Sequence, residues 1–457
     1  MSADLRAPDS ARLINPQVRA YMEALNLGRF YGGYAIHDLP PQILNLGIGE
    51  VGNVPLEADP YTLYRRFHQT HDLPNLALRY SGTLGREATN AAVAAWVNGW
   101  LGAERFSADR VVSMDGGQNA VEAAVRAFTT PLGQGGRSYV LLATPAYPYF
   151  SMVVAAQAGI QSFLAYTAEA FTLGVERCCN PSVGLILINV PHNPMGYVLT
   201  PEQVARINRV ARAYDCAILV DMVYASYGDP AAGRALAGLD PERTVFADSF
   251  SKTYGLPGLR LGFALSARPE LTHALRFIKM AESLAPSSLK LEFAGELLRD
   301  HADYPGRIAA EVRGRRERFL EVFGREAPPG VALLGERGNP FYLALDITAL
   351  VRRTGLTDLD IARVCQERHT VRVFPGSFVY PSPELTHATF SSWGRPGSGA
   401  APYLAPEFPA GAPIVYTEDG VSGRVPLLRL SFGTETRVEQ AAGALARAFR
   451  ELWEQAQ

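Results

Sequence analysis

The sequence predicts an α/β fold with a second, smaller domain, and three observations support this. At 457 residues and 47% apolar, the chain can bury a large core and divide into more than one domain. Between about residues 75 and 310, short apolar runs alternate with stretches of helical period, as layered strands and helices require. Gly184–Val190 (GLILINV) is almost continuously apolar, the mark of a strand buried on both faces.

Arg110–Met114 reads as a strand that runs into Asp115, Gly116 and Gly117 and then into a helical stretch, Asn119–Phe128. Tyr139–Ala143 is a second strand, followed at once by Thr144, Pro145, Ala146 and Tyr147. After Gly184–Val190, Thr200 is placed to cap a helix, with Pro201 at its first position and Gln203 closing a capping box. That helix ends near Tyr214. Ala217–Val220 is a buried strand ending on Asp221, and the strand Thr244–Ala247 delivers a loop carrying Lys252. Residues before about 60 join those after about 310 in the smaller domain, so the expected division is 1–60, 61–310 and 311–457. The long helical region Pro269–Phe323 links the parts. The small-domain strands are expected at Phe341–Ile347, Val371–Phe374 and Leu427–Ser431, with a terminal helix at Val438–Trp453. A long 377–425 loop rich in Pro, Gly and aromatics interrupts them, and a loop of that length is usually functional or mobile.

The charge balance is nearly neutral, 43 Lys and Arg against 45 Asp and Glu, which argues against nucleic acid or an anionic membrane as partner. Cys178, Cys179, Cys216 and Cys365 form no Cys-x-x-Cys pair, so neither a disulfide framework nor a zinc site is expected, and no metal is assigned. The N-terminus lacks a secretory apolar core and no run approaches a membrane span; a soluble, cytoplasmic protein is expected.

The densest local signal is Ser249-Phe-Ser251-Lys252-Thr-Tyr-Gly255-Leu-Pro-Gly258-Leu-Arg260-Leu-Gly262. A lysine in a Ser/Gly-rich loop just past a strand can meet a carbonyl cofactor, and burial beside positive charge would make its amine a usable nucleophile and base. Arg260 and the two serine hydroxyls suit a phosphate. This segment resembles the S-x-S-K-x-x-G-x-x-G-x-R-x-G signature of fold-type I pyridoxal 5′-phosphate (PLP) enzymes, in the class I/II aminotransferase group. The resemblance implies a large domain with a mixed, mostly parallel sheet between helices, plus a smaller α+β domain. It implies that Lys252 holds PLP as a Schiff base.

The rest of the chain matches the family's further requirements in order, from about residue 45 to 435. Asp221-Met-Val-Tyr224 supplies a carboxylate for the pyridine nitrogen and a hydroxyl for the ring 3-oxygen. An Asp at a strand end is more often a cap, but this one ends a buried run upstream of Lys252. Asn193-Pro194-Met195-Gly196 resembles N-P-x-G, which implies that Asn193 reaches the ring oxygen and approaches the substrate carboxylate; Met195 replaces the usual Thr. Gly116, Gly117 and Gln118 join a strand to a helix, where backbone N–H groups and the helix dipole favour an anion, and resemble the phosphate cup. Tyr147, in Pro145-Ala-Tyr, matches the aromatic that stacks on the ring. Tyr80 matches the tyrosine that reaches the phosphate of the neighbouring subunit, which implies a homodimer with shared sites. Arg429 matches the clamp on the substrate α-carboxylate, with the backbone at Gly49 beside it.

These roles imply an aminotransferase: Lys252 takes the Cα proton of a bound amino acid, the protonated ring stores the negative charge, and a keto acid leaves in ping-pong turnover. A PLP-dependent lyase or cyclase shares every step up to that point and stays open as the alternative. A non-catalytic effector-binding protein of the same fold is the minor alternative, disfavoured because the segment before Leu46 is short for a DNA-binding domain. Arg29–Tyr34 and the 377–425 loop are expected as walls of the substrate pocket, fitted to an unusual amino acid. No second substrate-clamping arginine is evident, so no dicarboxylate substrate is expected.

Overall fold

A computed structural model of the chain describes residues 39–52, 60–131, 134–150, 157–326, 328–380 and 424–456. The expected pocket walls at Arg29–Tyr34, and the 377–425 loop apart from its two ends, lie outside the described residues.

The short strand β1 (Leu44–Asn45) precedes a seven-stranded sheet built from β2 (Val111–Met114), β3 (Tyr139–Thr144), β4 (Gly159–Leu164), β5 (Val183–Asn189), β6 (Ala217–Asp221), β7 (Thr244–Ser249) and β8 (Gly262–Leu265). Their order is β2-β8-β7-β6-β5-β3-β4. Every pairing among β4, β3, β5, β6 and β7 is parallel, while β8 is antiparallel to both neighbours, so the sheet is mixed with one reversed strand. Side chains alternate between two fully covered faces. Leu185, Leu187, Leu219 and Val245 pack on the face bearing the helix Gly117–Phe128, and Ile186, Ile188, Ile218, Val220 and Phe246 pack on the other. That double burial explains the near-continuous apolar runs.

The capping box at Thr200 forms, with Gln203 N donating to Thr200 Oγ1 at 3.3 Å and Thr200 N donating to Gln203 Oε1 at 2.9 Å. Two sheet strands escape the sequence pattern. β4 carries Gln161 and Ser162 in its centre, both buried, and Gln161 is satisfied by Cys178 O and by Asn180 Nδ2 at 2.9 Å. β8 starts at Gly262, the last residue of the Lys252 signature, and runs on to Leu265. The helical region Pro269–Phe323 resolves into three helices, Pro269–Ser283, Ser288–Asp300 and Tyr304–Glu326.

The second sheet is antiparallel, β9 (Ala332–Leu334), β10 (Tyr342–Asp346), β12 (Phe374–Pro375) and β13 (Leu427–Ser431), in the order β12-β13-β10-β9; β11 is Val371–Arg372. β1 pairs in parallel with β11, which ties the N-terminal segment to the C-terminal third of the chain. The helix Val438–Gln455 closes the fold and buries Ala441, Leu445, Phe449 and Leu452 along one face. The ends of the long loop are pinned together. Tyr380 Oη donates to Val425 O at 3.0 Å, Val425 N donates to Tyr166 Oη at 3.1 Å, and the two hydroxyls lie 3.1 Å apart.

Candidate functional site

The parallel strands end on one side of the large sheet, and their last residues line a cavity of about 430 Å³. Asn189 ends β5, Asp221 ends β6 and Ser249 ends β7, the placement expected for ligand sites in open α/β sheets. Lys252, Gly117, Tyr147, Asn193, Arg260 and Arg429 share the lining.

Lys252 sits on the helical turn Phe250–Thr253, whose N-cap Ser249 accepts from Ser251 N at 3.2 Å. Its backbone is held by Tyr227 Oη, which donates to Lys252 O at 2.8 Å, and its Nζ donates to Gly49 O. Burial pushes the Lys252 amine down to about 8; the nearby Glu50 opposes the shift, while Arg429 and Arg260 add to it. Asp221 is 5% exposed and receives Val223 N on Oδ1 at 3.2 Å. Desolvation raises its carboxyl to about 7 against that hydrogen bond and the charge of Lys252.

The glycine cup is shaped by necessity. Gly116 has φ +94°, and a Cβ there would stand 2.7 Å from Arg260 Nη2. The positive φ at Gly116 favours glycine, and at Gly117 a Cβ would make a tight 3.2 Å approach to Val223 Cγ1. Arg260, itself at φ +50°, is fastened by Nη1 to Pro257 O at 3.0 Å. Gln118 and Ser251 complete this end of the lining.

Asn193 is the lining residue whose side chain is most plainly free to bind a ligand. It is 1% exposed and lines the cavity, yet neither its Oδ1 nor its Nδ2 finds a hydrogen-bond partner among the described residues. A buried carboxamide left so costs about 1–3 kcal/mol for each unmet group. Tyr224 places its hydroxyl 2.8 Å from that of Tyr342, and burial holds both as neutral phenols able to donate. Arg429, 4% exposed on β13, lies between the rings of Phe374 (4.1 Å) and Tyr342 (4.7 Å). Its Nη2 donates to Gly47 O at 3.1 Å, so the backbone bonded to the arginine is that of Gly47, whereas Gly49 O receives Lys252 Nζ. Tyr80 is not brought to this cavity: it stands 84% exposed, near Leu78 in sequence, which is 82% exposed.

Sequence reasoning missed Asn189, Tyr342, Phe374 and Arg372, all in the lining. Asn189 links two expected residues: its Nδ2 donates to Asp221 Oδ2 at 3.1 Å and its Oδ1 accepts Asn193 N at 2.8 Å. The available signal was a lone polar residue in GLILINV, otherwise apolar. Replacing Asn189 with Ala is expected to lower kcat about tenfold with KM little changed, because Asp221 loses a donor to its charged form. Unchanged kcat with only a lower Tm would contradict that role. Arg372 packs its Cγ 3.2 Å from where a Gly47 Cβ would be, and its guanidinium nitrogens are shut off from solvent.

The fit to PLP rests on three of these observations: the open glycine seat beside Arg260, the unmet carboxamide of Asn193, and a buried acid at Asp221 with room in front of it. The profile of the family described as aminotransferase class I and II matches residues 41–395. The chain is 29% identical over 246 residues to an aromatic-amino-acid aminotransferase of Thermococcus litoralis, covering 52% of this chain and 61% of that one. It is 31% identical over 61% of its length to a probable N-succinyldiaminopimelate aminotransferase of Mycobacterium tuberculosis, spanning 62% of that protein. It is 27% identical to the capreomycidine synthase of Streptomyces vinaceus, covering 69% of this chain and 80% of that one. The matched stretch thus spans about three fifths of the length of the two aminotransferases. Among solved structures, the N-succinyldiaminopimelate aminotransferase of M. tuberculosis superimposes with a TM-score of 0.70 at 21% identity, over 96% of this chain and all of that one. The chain belongs to the aminotransferase class I and II family, whose fold is fold type I and whose cofactor is PLP.

Proposed function

We propose that this protein moves an amino group between an α-amino acid and a keto acid. The convergence of Lys252, Asp221, Asn193 and Arg429 on one cavity is the observation that supports it. When bound, PLP supplies an aldehyde that condenses with amines and a ring that accepts the electron pair left at Cα. Lys252 would hold the cofactor through its amine, and the same amine would take the Cα proton of the substrate. Asp221 would keep the ring nitrogen protonated, and Asn193 and Tyr224 would donate to the ring 3-oxygen. Gly116, Gly117, Gln118, Ser249, Ser251 and Arg260 would hold the phosphate, and Tyr147 would cover a ring face. Arg429, stacked between two aromatic rings, is restricted to a narrow set of poses and clamps the substrate carboxylate beside Gly49.

The reading extends to the assembly. The exposed Tyr80 and Leu78 fit a homodimer in which Tyr80 serves the partner's phosphate site. The two sheets fit a division into a large domain, 61–310, and a smaller one, 311–457 joined by 1–60. Among the described residues no helix is long and apolar enough to cross a membrane, and we place the protein in the cytoplasm.

A lyase or cyclase is the second reading. What favours a reaction other than transamination is the sequence similarity to the capreomycidine synthase, which is not named as an aminotransferase and of which 80% is matched, against 61% and 62% of the two aminotransferases above. Incubating the PLP form with a panel of amino acids and identifying products by mass spectrometry separates the two. A keto acid with pyridoxamine phosphate supports transamination, whereas ammonia or a cyclised product without pyridoxamine phosphate overturns it. With the amino acid that reacts, Arg429→Gln should lower kcat/KM by about 10²- to 10³-fold, the cost of truncating one partner of a desolvated ion pair. A change below threefold would remove Arg429 from the carboxylate clamp.

A further inference from the structure

The chain has only three lysines, Lys252, Lys279 and Lys290, among its 43 basic residues. Lys279 is fully buried, although it lies far from Lys252 in sequence and has no role in the site described above. Its Nζ donates to Asp115 Oδ2, the carboxylate immediately before the glycine cup, and to Asn119 Oδ1 at 3.4 Å. A desolvated ammonium persists only where its charge is answered, and Asp115 answers it.

The pair belongs to a larger seam. Lys279, Glu282 and Ser283 share one face of the last turn of the helix Pro269–Ser283, at spacings of three and four residues. Ser283 Oγ donates to Asp115 Oδ2 at 3.2 Å, and Glu282 receives Asn119 Nδ2 at 2.6 Å and Arg126 Nη1 at 2.8 Å. Asn119 Oδ1 also accepts Asp115 N at 3.1 Å. The cup's own N-cap, Gly116, offers no side chain to the helix it opens. Asp115 and Asn119 are therefore the nearest side chains on either side of Gly116-Gly117-Gln118 that are fastened, and both are fastened to Lys279.

We propose that Lys279 is a positioning residue for the cofactor phosphate: it locks Asp115 and Asn119 so that the N–H groups of the cup keep their aim, and it cancels the Asp115 carboxylate that would otherwise repel the phosphate. The inference rests on the proposed seating of the phosphate in the cup. Without the ammonium, one negative charge stands a residue away from a dianion at partial burial. Without both charges, the repulsion disappears and Asn119 still fastens to Glu282.

The test compares PLP with pyridoxal, which has the same aldehyde and ring but no phosphate. Kd for each is measured from visible absorbance on the cofactor-free protein. Lys279→Met is expected to weaken PLP about 10- to 100-fold and to leave pyridoxal within threefold. The double change Asp115→Asn with Lys279→Met should recover most of the PLP affinity. Asn119→Ala leaves no full charge unpaired, serves if Lys279→Met does not fold, and should weaken PLP alone by about three- to tenfold. Equal losses for PLP and pyridoxal, or no loss for either in Lys279→Met and Asn119→Ala, would overturn the inference. A wild-type protein that binds neither compound would overturn the proposed function together with it.

Discussion

Changing Lys252 to Ala is expected to lower turnover by about 10⁴-fold, the upper range for loss of a general base, with further loss because the same amine anchors the cofactor. The PLP form should lose the absorbance of the bound imine while pyridoxamine phosphate still binds, because the cup, Asp221 and Asn193 are untouched. Stopped-flow measurement of each half-reaction checks this. The pH dependence of cofactor binding follows from the same residue. In the cofactor-free protein burial lowers the Lys252 amine to about 8, and only the neutral amine attacks an aldehyde. The rate at which the cofactor-free protein takes up PLP should therefore rise with pH up to about 8 and flatten above it. A rate falling through that window would contradict Lys252 as the amine that reacts.

Asp221→Asn is expected to cost about 10²- to 10³-fold in kcat, the scale seen when one preorganised electrostatic group is removed. Asn has the shape of Asp but carries no charge to keep the ring nitrogen protonated. The cofactor-free protein gives an independent reading. Burial raises the Asp221 carboxyl from its ordinary value to about 7, so the folded chain binds more protons than the unfolded one between those values. The resulting stability is fully present below the ordinary carboxylate range and is lost as pH rises through about 7. The apo Tm of the wild type should fall across that interval, and Asp221→Asn should flatten part of the fall. Equal slopes in the two proteins would show that Asp221 does not carry the titration.

What was legible in the sequence was what is local. Lys252, Arg260 and the serines lie in one continuous stretch, and Asp221 and Asn193 follow strands whose double burial makes them near-continuous apolar runs. The cup was legible only beside the other motifs, because two adjacent glycines between a strand and a helix are by themselves an ordinary turn. The aromatic walls of the Arg429 slot were not legible. Phe374 faces Arg429 across the β12–β13 register and Tyr342 reaches it from β10, pairings between segments far apart in sequence. β4 was missed because Gln161 and Ser162 look like surface residues until their buried partners are known. Lys279 was missed for the opposite reason: a lysine in an amphipathic helix reads as solvated, and nothing short of tertiary packing reveals that it points inward at Asp115. Asn189 could have been singled out, since a polar side chain ending a buried strand must be hydrogen-bonded to something.

With three lysines in the chain, the amine that holds the cofactor can be identified directly. Borohydride reduction of the PLP form followed by peptide mapping fixes the cofactor on whichever amine holds it. One phosphopyridoxyl group per chain is expected, on Lys252, and it should disappear when a reactive amino acid is added before reduction. A label on Lys279 or Lys290, or no label on a protein that binds PLP, would contradict it.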